Sequence, residues 1–185
     1  MDKPTISSQH NNDAAGLNQR RIFIAGSAPF VIFGTIAAIY CAYTYLPACA
    51  DANNALHLAA QWSFIAMLPY LAVFIVIAMN RWREGSHNPL VGTESSDLKI
   101  HCRVMQNTLE QLVLFVVCIA ALSTCLRSDE LRLVPIVSLA FVLARLVYWK
   151  GYFHHGTLGR KYGVQMTMAV NLGLVGLTAS LMMLR

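Results

Sequence analysis

The sequence predicts an all-α integral membrane protein with five spans, and three observations predict it. Of 185 residues, 56% are hydrophobic and only 12% charged, where soluble domains carry about a quarter charged. The mean hydropathy is +0.50. The apolar runs are continuous rather than alternating, and lipid, having no water for unpaired backbone groups, admits only helices or closed barrels. Barrel strands would be about ten residues long with a period of two, so the runs read as helices.

Residues Met1 to Asn18 are polar, with Ser7, Ser8, Asn11 and Asn12; such a composition buries no core, so residues 1–20 are expected to be an unstructured tail. Segment one, Ile22 to Leu46 within 21–47, is long enough at about 1.5 Å per residue to cross a core of about 30 Å. It exceeds a signal-peptide core, although Ala48, Cys49 and Ala50 form a small-residue stretch behind it. Segment two runs from Leu56 to Met79, with Pro69 inside and Asn80, Arg81, Trp82 and Arg83 as its interfacial end. A polar loop from Glu84 to Lys99 follows, then segment three from His101 to Leu126 and a turn from Arg127 to Arg132. Segment four spans Leu133 to Phe153, with Pro135 in its first turn, where a missing N–H does no harm. His154, His155, Gly156 and Gly159 read as loop residues. Segment five, Val164 to Leu184, carries Gly173 and Gly176, a spacing of small residues that suits close helix contact, and Asn171, which suits an interhelical hydrogen bond.

Basic residues outnumber acidic ones, 14 to 9. They flank apolar segments, so they read as topological charge and headgroup contacts; no nucleic-acid partner is expected. Lys3, Arg20 and Arg21 precede segment one, Pro47 to Ala55 has no Lys or Arg, and Arg81, Arg83, Lys99 and Arg103 follow segment two. This alternation predicts a cytoplasmic amino terminus and, after five spans, a carboxyl terminus on the opposite side. The five cysteines, Cys41, Cys49, Cys102, Cys118 and Cys125, make no C-x-x-C pair, which argues against a metal site. Cys41 and Cys118 read as packing residues; Cys49 and Cys125 share the outward boundary and read as free thiols.

Two stripes carry the chemistry. Arg103, Asn107 and Glu110 lie at helical spacing on segment three, and Arg145, Tyr148 and Tyr152 on segment four. Ionisable groups in a span cost roughly 2.5–3.5 kcal/mol each at mid-bilayer, so they line an interior or a wet cleft. Guanidinium groups fork onto carboxylates, a carboxylate holds an ammonium, and an amide holds a peptide bond. The complementary ligand is a small zwitterionic peptide with spare carboxylates, and a thiol set against Arg or a phenol would ionise more readily, as glutathione would. An internal ion pair of Glu110 with Arg103 or Arg145 is the structural alternative. One carboxylate, however, cannot neutralise two arginines.

The run Arg103-Val-Met-Gln-Asn107-Thr-Leu-Glu110-Gln-Leu-Val-Leu-Phe115 resembles the bacterial branch of the MAPEG family, the membrane-associated proteins in eicosanoid and glutathione metabolism. Ala144-Arg145-Leu-Val-Tyr148-Trp-Lys-Gly151-Tyr152 resembles the family's next-to-last helix, and the likeness covers about Leu56 to Arg185. It implies a MAPEG-like four-helix domain over 56–185, preceded by one extra helix. It further implies a homotrimer in a bacterial inner membrane, with glutathione as co-substrate between subunits, transferase or peroxidase activity on lipophilic substrates, and no metal. By position, Arg103, Asn107, Glu110, Arg145, Tyr148 and Tyr152 match the glutathione-binding set, and Arg81 or Arg83 an arginine from the adjacent subunit. Gln111 stands where some members have tyrosine. The thiol-activating arginine would fall on Gly159, with Arg160 one residue late; Arg160, or else Tyr152, is the candidate catalytic residue. A non-catalytic lipid-binding scaffold, and a structural or transport protein whose stripes are ion pairs, remain the alternatives.

Overall fold

The computed structural model describes residues 6–47, 54–84 and 95–184; Cys49, its small-residue neighbours and most of the polar loop after segment two lie outside them. Five helices occupy the described residues: α1 (Ile6–Tyr45), α2 (Ala55–Glu84), α3 (Ser96–Cys125), α4 (Leu133–Gly159) and α5 (Lys161–Met183). All five are long and apolar enough to cross a membrane.

Helices α2, α3, α5 and α4 pack in a ring, each against the next, and α1 lies outside it against α4 and α5. Two apolar cores fill the ring. The larger joins Leu112, Phe115, Ile119 and Leu122 of α3 to Val134, Val137 and Phe141 of α4 and to Val170 and Leu174 of α5, with the Phe115 and Phe141 rings stacked 4.5 Å apart. The smaller gathers Val73, Ile77, Leu98, Val104 and Tyr148 at the other end of the bundle. Lipid tails are as apolar as these side chains, so van der Waals fit and interhelical hydrogen bonds hold the ring together. Asn171 makes such bonds from α5, donating through Nδ2 to the Gln111 carbonyl at 3.1 Å and to Gln111 Oε1 at 2.9 Å.

Several boundaries differ from the sequence reading. Helix α1 begins at Ile6, so the stretch read as a tail is helical over most of its length; once a span nucleates a helix, each further residue adds a hydrogen bond at little cost. Helix α3 begins at Ser96 rather than near His101, because Ser95 accepts from the Leu98 N–H at 3.2 Å as an N-cap. The Ser95 hydroxyl in turn donates to Glu84 Oε1 at 2.6 Å, tying the end of α2 to the start of α3. Cys41 is exposed rather than a packing residue, whereas Cys118 is buried as expected.

The loop expected after Phe153 is instead a break in a continuing helix. His154 and His155 are helical, and Gly156 turns the chain at φ 57°, ψ −139°, a region closed to side chains with a Cβ. The chain then folds back tightly. A Cβ on Gly159 would lie 2.1 Å from the Gly151 carbonyl oxygen, and one on Gly163 2.3 Å from the Tyr148 nitrogen. Gly173 and Gly176, expected to mediate close helix contact, face open space within the chain. They sit on the exposed side of α5, away from Val170 and Leu174.

Replacing Gly163 by Ala should therefore destabilise the detergent-solubilised protein by about 1–3 kcal/mol, the usual cost of overpacking. Gly173→Ala should stay within about 0.5 kcal/mol of the parent. Thermal unfolding followed by circular dichroism checks both; equal shifts would refute the packing assignment.

Candidate functional site

Arg145 anchors the polar centre of the bundle. It is 1% exposed, and its hydrogen bonds run to neutral groups: Nη1 donates to Asn107 Oδ1 at 2.9 Å, and Nη2 to the Gly163 carbonyl at 3.4 Å and to the Thr167 hydroxyl. Its guanidinium carbon lies 4.6 Å from the centre of the Tyr148 ring, a cation–π contact that desolvation strengthens. Nε finds no acceptor among the described residues. The Gly163 backbone comes close enough to accept because nothing but hydrogen separates it from Tyr148.

In front of Arg145 opens a cavity of about 280 Å³ lined by Ile24, Asn107, Tyr148, Arg160, Lys161, Val164 and Gln165. Two of these, Asn107 and Tyr148, are the groups Arg145 touches, so its charge backs the cavity wall without lining it. Arg160 places its guanidinium carbon 5.0 Å from the centre of the Tyr152 ring, and the Tyr148 and Tyr152 rings stand 5.9 Å apart. Lys161 is buried, its ammonium 4.6 Å from the Tyr162 ring. Three cations thus converge on one small space, and no carboxylate lines it among the described residues. The arrangement can receive an anion.

The structure divides the sequence-predicted set. It brings together Asn107, Arg145, Tyr148, Tyr152 and Arg160. Arg103 and Glu110 are exposed on the outer face of α3, where Glu110 Oε1 accepts from Gln106 Nε2 at 3.3 Å. The structural alternative paired Glu110 with Arg103 or Arg145; Arg145 instead bonds neutral groups, and among the described residues Glu110 bonds Gln106. Arg81, half-buried, and Arg83, exposed, occupy the last turn of α2, next to the smaller core that holds Tyr148. The sequence reading missed Lys161, Gln165 and Thr167. Lys161 had read as topological charge, and a neutral Gln or Thr near a span end carries no cost that singles it out. Among the described residues no cluster of His, Cys, Asp and Glu could hold a metal ion.

The register at the end of α4 bears on Arg160. Gly159, where the thiol-activating arginine would fall, cannot carry any side chain, because its Cβ would overlap the Gly151 backbone. The next residue is the one that faces the cavity. Gln111, standing where some members have tyrosine, is bound to Asn171.

Fold and site together define a helical bundle of membrane spans with a cationic cavity at one end. The model of the MAPEG family matches residues 59–180, and the chain belongs to that family of membrane proteins of glutathione-related chemistry. No curated protein and no solved structure gives a significant match. The matched region comprises α2 to α5, and α1 precedes it.

Arg145→Lys keeps the charge but loses the planar fork that serves three acceptors on two helices. It should lower stability by about 1–3 kcal/mol, the cost of leaving buried partners unsatisfied. An unchanged thermal midpoint would show that the fork does not hold α3 and α5 together.

Proposed function

We propose that this protein is a membrane-bound, glutathione-dependent transferase or peroxidase that works as a homotrimer on lipophilic substrates. The observation that carries the reading is Arg145, fully buried, bonded only to neutral groups and set behind a cavity that Arg160 and Lys161 also face. A buried guanidinium solvated only by neutral groups among the described residues keeps a charge that an anionic ligand relieves. Glutathione carries two carboxylates, one ammonium and a thiol, and the cavity of about 280 Å³ holds part of it.

The rest of the tripeptide falls to Arg103 and Glu110 and to Arg81 or Arg83 of a neighbouring subunit. The outer face of α3 supports assembly. Arg103, Gln106, Glu110, Val113 and Val117 are all exposed there, at alternating offsets of three and four that form a helix-to-helix seam. Charged groups on that seam do not suit lipid. The basic end of α2 and the Arg160–Lys161 turn face the cytoplasm in this reading.

Arg160 stabilises the thiolate. Its guanidinium, held over Tyr152, favours the ionised sulfur and raises the thiolate fraction at neutral pH. In the transferase reaction the sulfur lone pair forms the new C–S bond, and the displaced electron pair leaves with the leaving group or, in conjugate addition, moves into the acceptor and takes up a proton. In the peroxidase reaction the thiolate attacks the terminal hydroperoxide oxygen and the O–O bond breaks. The lipid alkoxide takes a proton to become the alcohol, and glutathione sulfenic acid condenses with a second glutathione to disulfide and water. Tyr148, at the cavity wall, has the hydroxyl to donate that proton.

Glutathione titration of the detergent-purified protein, followed by thiolate absorbance and by conjugation to a generic electrophile, tests the reading. Binding with thiolate formation is expected. Arg160→Ala should cut thiolate fraction and conjugation rate by about 10–100-fold, the effect of raising a thiol pKa by about one to two units. Absence of binding at millimolar glutathione would end the proposal. Gln111, engaged with Asn171 rather than free for a ligand, favours the second reading, a lipid-binding scaffold; binding without turnover would select it. Co-assembling Arg103→Ala with Arg145→Met protomers should restore part of the glutathione binding that each variant loses alone, because a mixed trimer contains intact composite sites. No recovery would place the site within one chain.

A further inference from the structure

Helix α1 lies outside the region matched to the family, yet it reaches the cavity. Ile24 lines it beside Asn107, Tyr148, Arg160 and Gln165. Gln165 is buried, and its Nε2 donates to the Ile24 carbonyl at 2.9 Å and to the Ser27 hydroxyl oxygen at 3.1 Å. The Ser27 hydroxyl donates back to the Ile24 carbonyl at 3.0 Å, closing a three-membered clasp between α1 and α5. Pro29 sits just beyond it inside the helix. Proline removes one backbone donor and crowds the carbonyl four residues earlier, which here is that of Ala25, and so loosens the turn that carries the clasp.

The far end of α1 is tied as well. Arg132 Nη1 donates to the Leu46 carbonyl at 3.2 Å, and its guanidinium carbon lies 4.2 Å from the Tyr43 ring. A cation at a helix C-terminus is favourable on its own account. Between the two ties α1 is mostly lipid-facing, with Phe30 and Phe33 exposed. A helix that served only as an anchor would have no use for a buried amide at one particular turn.

The clasp decides what Gln165 offers. With Nε2 given to α1, Gln165 Oε1 accepts from the Ser27 hydroxyl at 3.4 Å and has a second lone pair to offer, in a residue that lines the cavity beside Asn107, Tyr148, Arg160 and Lys161. It supplies the acceptor that a cationic wall lacks and that a peptide N–H or ammonium requires.

We propose that α1 is a selectivity wall of the ligand site, in which Ile24 limits the cavity and Ser27 with the Ile24 carbonyl positions Gln165 to accept the glycine N–H of the bound thiol peptide. This rests on the glutathione reading above and adds a determinant from outside the family region. Gln165 acts here as a ligand-binding residue, and Ser27 as a positioning residue.

The test measures binding of glutathione and of γ-glutamylcysteine, which lacks the glycine, to the full-length protein and its variants in detergent. Ile24→Trp fills the cavity and Gln165→Leu removes the acceptor. Each should weaken glutathione binding about tenfold and change the ratio of the two affinities at least about threefold, as loss of a buried hydrogen bond to the glycine N–H or of ligand space does. Ser27→Ala, a smaller change that leaves the fold little room to fail, should shift the same ratio in the same direction. Phe33→Trp, on the lipid face of the same helix, should bind both ligands as the parent does. Parent-like affinities in Ile24→Trp, Gln165→Leu and Ser27→Ala, or equal losses for both ligands, would make α1 a simple anchor and overturn the proposal. A parent protein that binds neither peptide would instead overturn the glutathione reading itself, and this inference with it.

Discussion

One buried guanidinium organises this bundle. Among the described residues Arg145 has no carboxylate to neutralise it, and the chain surrounds it with oriented neutral groups: an amide from α3, a carbonyl and a hydroxyl from α5, and the face of its own helix's Tyr148. Dipoles of this kind solvate a charge without cancelling it. The distinction matters, because a guanidinium paired with a carboxylate would have no attraction left for an incoming anion. The same groups also fix the helices, since a ligand that bridges α3 and α5 from α4 sets both their separation and their register. Stability and receptivity therefore share one residue.

The backbone meets that requirement by an unusual density of glycine. For the Gly163 carbonyl to reach Arg145, α5 must run against α4 at backbone contact, and for α5 to start there the chain must reverse immediately after α4. Gly156 makes the reversal, and Gly151 with Gly159 lets the two strands of the reversal touch. A consequence follows for the electrostatics. The reversal leaves Gly159 pressed against the preceding turn and turns Arg160 and Lys161 toward the cavity, so the cations follow the first position where the backbone has room for a side chain.

The spans were legible in the sequence because apolar length is a strong signal, and Arg145, Asn107 and Tyr148 because polar groups inside a span need a reason. What sequence spacing could not fix was direction. Arg103, Asn107 and Glu110 share a side of α3, yet at about 100° per residue Asn107 is rotated about 40° from Arg103 and about 60° from Glu110. That rotation is enough to carry Asn107 inward to Arg145 while the other two remain outside. Gly173 and Gly176 take the outer face of α5, because Val170, Asn171 and Leu174 take the inner one. Helix ends misled for a different reason, since Ser95 and Glu84 extend α3 through side-chain bonds that hydropathy does not register. Gln165 was invisible because its importance depends on a partner in α1, far away in the sequence.

The graded face of α3 also explains how one chain can expose half a polar stripe without contradiction. Asn107 lies at the border between the buried guanidinium and the exposed Arg103–Gln106–Glu110 row, so the polar surface is continuous from the bundle interior to its outside. Along that row Val113 and Val117 continue the same seam toward the other end of the helix. A lipid-facing helix gains nothing from a charged row, and a fully internal site has no need of one. A surface that is polar beside the cavity and apolar farther along matches a second protein surface with the same gradient, which an identical helix related by rotational symmetry supplies by construction. In the proposed trimer α3 meets the neighbouring subunit, while α1, packed on α4 and α5, borders the cavity through Ile24.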